Sequence, residues 1–145
     1  MSTTAKRIGT MRALAAAAQF RIKGLNAVDQ ELQEAGSSRK VSPDRRRHLL
    51  QVFHGMRALE SALKALLRSH ATVPENSLGR VLRQLRNLPA THPLHRDASA
   101  LNRFLRSLPD ERNRLMHDAN AFPRNAKEAD EIVGDIHACF SLFIG

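Results

Sequence analysis

Three residues of this chain have the types and spacing for work on a phosphodiester: Arg112, Asn113 beside it, and His117 five positions on. A histidine titrates near neutrality and so can take up or release a proton during a reaction at physiological pH. A guanidinium presents a planar fork that matches two phosphoryl oxygens. Asn113 could orient either the imidazole or a phosphate oxygen. With a proton carrier and a fixed cation, a strand of RNA can be cut without a metal, because its own 2′-hydroxyl attacks the adjacent phosphorus.

These residues must be held by the segment from Ser107 to Asn125, which has the start, body and stop of one helix. Ser107 and Asp110 are spaced as a capping box, Pro109 suits a first turn, and Asp110 and Glu111 place acid where the helix dipole favours it. Pro123 ends the helix near Phe122. On a wheel of about 100° per residue, Leu105, Leu108, Leu115, Met116 and Ala119 form one apolar arc with Arg112 in its middle. Burying an unpaired guanidinium costs several kcal/mol, so a negative or polar group should meet Arg112. Asn113, His117 and Asn120 form a polar strip beside the arc. Arg112 and His117 are about 140° apart on an ideal helix, a gap that arginine's length closes in part. The plainer alternative is an arginine that snorkels to the surface and a solvated histidine.

The run Arg112-Asn113-Arg114-Leu115-Met116-His117 resembles the signature of HEPN domains: an arginine, a polar residue that is often Asn or Asp, and a histidine closing the motif after four to six residues. The resemblance implies an all-α bundle and a ribonuclease that pairs two motifs across a dimer groove, needs no metal or other cofactor, and leaves a 2′,3′-cyclic phosphate. Many such proteins are toxins of toxin–antitoxin pairs or effectors of antiviral defence, so an antitoxin is an implied protein partner. Others bind nucleotides or RNA without cutting. In one branch a tyrosine two residues after the histidine is modified by a partner nucleotidyltransferase. Ala119 stands there and the chain has no tyrosine, which argues against that mode of silencing.

Composition is compatible with such a protein. The chain has 145 residues and 42% hydrophobic content, enough for one domain with a real core, taken as 1–145. Lys and Arg number 23 against 14 Asp and Glu, a formal charge of +9, and the pI is near 11.2. That balance favours a phosphate-bearing partner, although solubility alone accounts for some of it. Cys139 is the only cysteine, which excludes an internal disulfide and fits a reducing cytoplasm; it falls in an apolar helical pattern as inert core. The basic residues before Ala13–Ala18 mimic a secretory leader, but Gln19 and Arg21 break the run, and no stretch is long enough to span a bilayer.

Along the chain, Ile8, Met11, Ala15, Ala18, Ile22, Leu25 and Leu32 predict one helix from Thr4 to Glu34, broken in its seam only by Asp29. Its bases come first and its acids last, opposite to what the dipole prefers. Ser42-Pro43-Asp44 starts a second helix with a cap and a first-turn proline, carrying Leu49, Phe53, Met56, Leu59 or Glu60, Leu63, Leu66 and Leu67 inward. After a loop at 71–77, Leu78, Val81, Leu82 and Leu85 face inward on a short helix to Leu88. Ala98–Arg106 adds a turn or two, bent at Pro109 into the motif helix. Asn125 caps a last helix to about Phe143, with Ala129, Ile132, Val133, Ile136, Phe140 and Phe143 inward. The fold predicted is all-α: a HEPN-like bundle of four long helices with one or two short extra ones.

Candidate RNA-binding residues outside the motif are Arg45, Arg46 and Arg47 on the second helix, Arg80 and Arg83 on the short one, and Arg114 inside the motif. A solvated charged face is the commoner meaning of such stripes. Five of the six phenylalanines, all but Phe122, sit in inward-looking patterns, and there is no Tyr or Trp, so RNA binding should be dominated by the backbone and sensitive to salt. His92 and His95 flank Pro93-Leu94 without the further ligands a zinc site requires. Three functions remain: a metal-independent endoribonuclease, a non-catalytic helical module binding RNA, a nucleotide or a protein, and a structural adaptor that is basic for solubility.

Overall fold

Apolar residues at alternating spacings of three and four become helix faces throughout a computed structural model of the chain, which describes residues 2–117 and 123–145. The helices are α1 (Thr3–Ala18), α2 (Leu25–Ser37), α3 (Asp44–Ser69), α4 (Leu78–Arg86), α5 (Ala98–His117) and α6 (Ala126–Ile144), with a 3-10 turn at Ser38–Lys40. The all-α expectation holds, and there is no strand among the described residues. The six α-helices among the described residues match the number expected, but the boundaries differ, because the long first helix is two.

Residues 19–24 turn the chain between α1 and α2, and Gly24 there has φ 94°, a left-handed conformation that an L side chain adopts only with strain. Ile22 remains buried in the turn, so the apolar seam runs on across the break. That continuity is why periodicity alone reads a single helix. The hairpin also explains the inverted charge order. Asp29 on α2 faces back to Arg12 on α1 at 2.9 Å, and Glu31 reaches α3, 2.9 Å from His54 Nδ1 and 3.0 Å from Arg57. Two of the three acids of α2, Asp29 and Glu31, serve neighbouring helices and not their own dipole.

α1, α2, α3 and α6 close a ring in which each packs on the next, and α5 docks outside it on α3 and α6, flanked by α4. Asn125 caps α6 as predicted, its side chain accepting from the Glu128 N–H at 2.9 Å, and all six of its predicted inward residues are buried. In α4, Leu78, Val81, Leu82 and Leu85 are fully buried, again as their spacing requires. α3 begins one residue later than expected, with Pro43 itself at the capping position and no side-chain cap.

α5 corrects a second boundary. It runs unbroken through Pro109, and Ser107 is no cap: its hydroxyl donates to the Arg103 carbonyl at 3.3 Å. The helix starts instead after Asp97, whose carboxylate accepts from the Ser99 N–H at 2.9 Å. Pro109 removes one backbone hydrogen bond, yet Leu101, Phe104 and Leu108 before it and Leu115 after it are buried along one face and keep the helix in line. Its ring lies over Gly79 of α4, where an added Cβ would touch it at 3.4 Å.

His137 on α6 is half-buried with Nε2 unpartnered, and burial, then repulsion from Arg7, holds its pKa below the usual value. The folded chain thus disfavours the imidazolium. As pH falls through about 6.5, the unfolded chain takes up a proton that the folded chain resists, so stability declines until the depressed folded pKa is passed. Thermal melts between pH 7.5 and 5 should show this decline, and His137→Gln should flatten it.

Candidate functional site

Arg112 lies between Leu108 and Leu115 on the buried face of α5, and that placement turns it toward α3. The negative group demanded by the sequence is Glu60, whose Oε1 is 3.6 Å from Arg112 Nε and whose Oε2 accepts from Lys64 Nζ at 3.0 Å. Of the two inward candidates on α3, Leu59 is fully buried in the core, while Glu60 flanks it. Oε1 is itself buried without a hydrogen bond, because the Arg112 contact is too long for one.

Between α3 and α5 is a cavity of about 310 Å³ lined by Phe53, Met56, Arg57, Glu60, Ser61, Arg112 and Leu115, among others. It offers two guanidiniums, a hydroxyl, a carboxylate and an aromatic ring. Arg57 pairs with Glu31 at 3.0 Å and its Cζ sits 5.5 Å from the centroid of Phe53. About a third of the Arg112 side chain is exposed, 31%, so its charge is shared between Glu60 and the open side of the cavity. An anion with a flat, apolar part fits this lining.

Asn113, next along α5, is exposed. Arg114 is held by carboxylates on two helices, Glu111 and Glu128, each at 2.8 Å, and its pKa is raised by these bonds, Glu111 first. Arg124 and Arg114 in turn hold the Glu128 carboxyl below its usual range. Arg114 therefore ties α5 to α6. The α5 backbone is described as far as His117; the side chains of Met116 and His117, and all of Ala119, Asn120 and Phe122, lie outside the described residues.

None of the remaining predicted cations lines the cavity beside Arg112. Arg45 and Arg46 are exposed at the start of α3, and Arg47 pairs with Asp44 at 3.0 Å. Arg80 and Arg83 are exposed on α4, which follows the opposite end of α3. Arg47 and Lys64, which mark the two ends, are separated by about 25 Å along the helix. His92 and His95 make local backbone contacts, His92 Nδ1 accepting from the Leu94 N–H at 3.0 Å and His95 Nδ1 lying 3.2 Å from the Leu88 carbonyl. No cluster of His, Cys, Asp and Glu suited to a metal occurs among the described residues. Cys139 is fully buried, and burial pushes its thiol pKa up, making it an inert core residue.

Two residues of interest, Arg57 and Phe20, were not legible as such, and Glu60 was legible only as an alternative inward position. Arg57 and Glu60 belong to a polar stripe that emerges only when α5 is placed against it. Phe20, expected to face inward, is 87% exposed in the turn between α1 and α2. No described helix is long and apolar enough to cross a membrane. The chain matches no protein-family model, no curated protein and no solved structure.

Proposed function

We propose that the chain is a metal-independent endoribonuclease of HEPN type, cutting RNA by attack of the 2′-hydroxyl at a site assembled from two copies. The observation that carries this reading is Arg112: an arginine on the buried face of α5, only partly neutralised, opening on a cavity with a second guanidinium. Arg112 holds the phosphoryl oxygens, His117 transfers the proton, and Asn113 positions one of them. One motif brings one histidine, whereas cleavage wants both an acid and a base, so a two-fold homodimer supplies the second. A cytoplasmic toxin or defence effector restrained by an antitoxin is the biological setting that accords with this activity. Single-stranded RNA incubated with the purified protein in excess chelator should yield 2′,3′-cyclic phosphate ends by mass spectrometry; intact RNA, or cleavage that needs added metal, defeats the proposal.

One observation favours a second reading, a HEPN-like module that binds RNA, a nucleotide or a partner protein without cutting. Glu60 already sits against Arg112. On this reading Arg112→Ala weakens RNA or nucleotide binding about tenfold, the worth of one charged hydrogen bond, with no cyclic phosphate from either protein. Glu60 keeps Lys64 in that variant, so the melting temperature should change little.

A further inference from the structure

The cavity beside Arg112 does not end at Ser61. Ser61 also lines a larger cavity of about 770 Å³, bounded on α3 by Lys64, Arg68 and Ser69 and on the turn before α2 by Arg21, Lys23 and Gly24. Residues 57, 61, 64 and 68 follow one another at spacings of four, three and four, so they form a single stripe along α3. From Phe53 to Ser69 this stripe is about 24 Å long. None of the residues lining the larger cavity is acidic.

Charge along the stripe is strongly one-sided. Among the described residues, Arg21, Lys23, Arg57, Lys64, Arg68 and Arg112 meet only the carboxylates Glu31 and Glu60, six cations against two. Lys23 and Arg68 are exposed and meet no carboxylate among the described residues. The turn that supplies Arg21 and Lys23 also carries Phe20, 87% exposed, the only large aromatic among the described residues so displayed. Leaving a phenylalanine in water gains the fold nothing.

The geometry points to a track for single-stranded RNA along this face of α3, with the phosphate backbone on Lys64, Arg68 and Lys23 and a base stacked on Phe20 at the far end. It deepens the ribonuclease reading, on which it rests for the choice of RNA as the strand and for the place of the scissile phosphate at Arg112. A row of cations with a flanking aromatic is what binding of single strands without base readout requires. Its length suits roughly four nucleotides, the lower end of site sizes for such grooves. Cations without carboxylate partners have no ion pair to break before meeting phosphate, which is why Lys23 and Arg68 should contribute more than Arg57.

The test uses a fluorescent 2′-O-methyl oligouridine eight nucleotides long, which cannot be cut, so binding is read apart from cleavage. By anisotropy, K23A/R68A should weaken binding tenfold or more and lower the slope of log affinity against log salt by about 1.4. Phe20→Ala should weaken it about tenfold with the salt slope unchanged. The charge-matched control K40A/K127A, both exposed and away from the track, should bind like the wild type. Binding by K23A/R68A equal to the control overturns the track, even if His117→Ala abolishes cleavage and the ribonuclease reading stands. Wild type that ignores the oligonucleotide but binds phosphatidylserine vesicles through Phe20 overturns it too. Losses in both track variants with no cyclic phosphate from the wild type uphold the track and defeat the ribonuclease.

Discussion

Replacing His117 by alanine is expected to lower RNA cleavage by about 10²- to 10⁴-fold, the usual worth of one general acid or base. Binding of uncleavable RNA should change by less than about threefold, because the proposed mechanism assigns the phosphate to guanidiniums and not to the imidazole. The split is diagnostic: loss of turnover with binding intact places His117 in the proton transfer itself. It also separates this residue from Arg112, whose removal should weaken binding and cleavage together. Cleavage that survives His117→Ala would trace to another site or another protein. If two copies form one site that needs both histidines, an excess of His117→Ala protein mixed with wild type should depress activity, because mixed dimers carry only one histidine.

The second large effect lies far from the motif. Phe140→Ala should destabilise the fold by about 3–5 kcal/mol, from lost burial and from a cavity that its neighbours only partly fill. Phe140 is fully buried on α6, the helix that closes the ring between α1 and α3. A domain of this size has about 5–15 kcal/mol in total, so the melting temperature should drop by roughly 10 °C and the variant be close to unfolding at 37 °C. The site depends on that helix, because α5 is anchored to it by Arg103 with Asp135, 2.6 Å apart, and Arg114 with Glu128. Calorimetry reads the effect directly. A shift of only a degree or two would mean that α6 repacks and that the core is less closely fitted than its burial indicates.

The sequence by itself determined that the chain is helical, where α4 and α6 lie, and which of their residues face inward. These follow from short-range rules, the spacing of apolar residues and the cap at Asn125, that need no partner helix. It also set the demand that Arg112 find a counter-charge, since a guanidinium on an apolar face is costly in any fold. Tertiary structure decided what answers that demand. Glu60 is fifty-two positions away, and its distance from Arg112 depends on how α5 lies across α3. The break at Gly24 was hidden because Ile22 and Leu25 keep the seam in phase through the turn, so only the backbone dihedral reveals it. The continuity of α5 was hidden for the opposite reason: Ser107 and Pro109 carry local signals for a new helix, and packing of Leu101, Phe104, Leu108 and Leu115 on their neighbours outweighs them. Local chemistry sets the faces of helices, and long-range packing sets which faces meet.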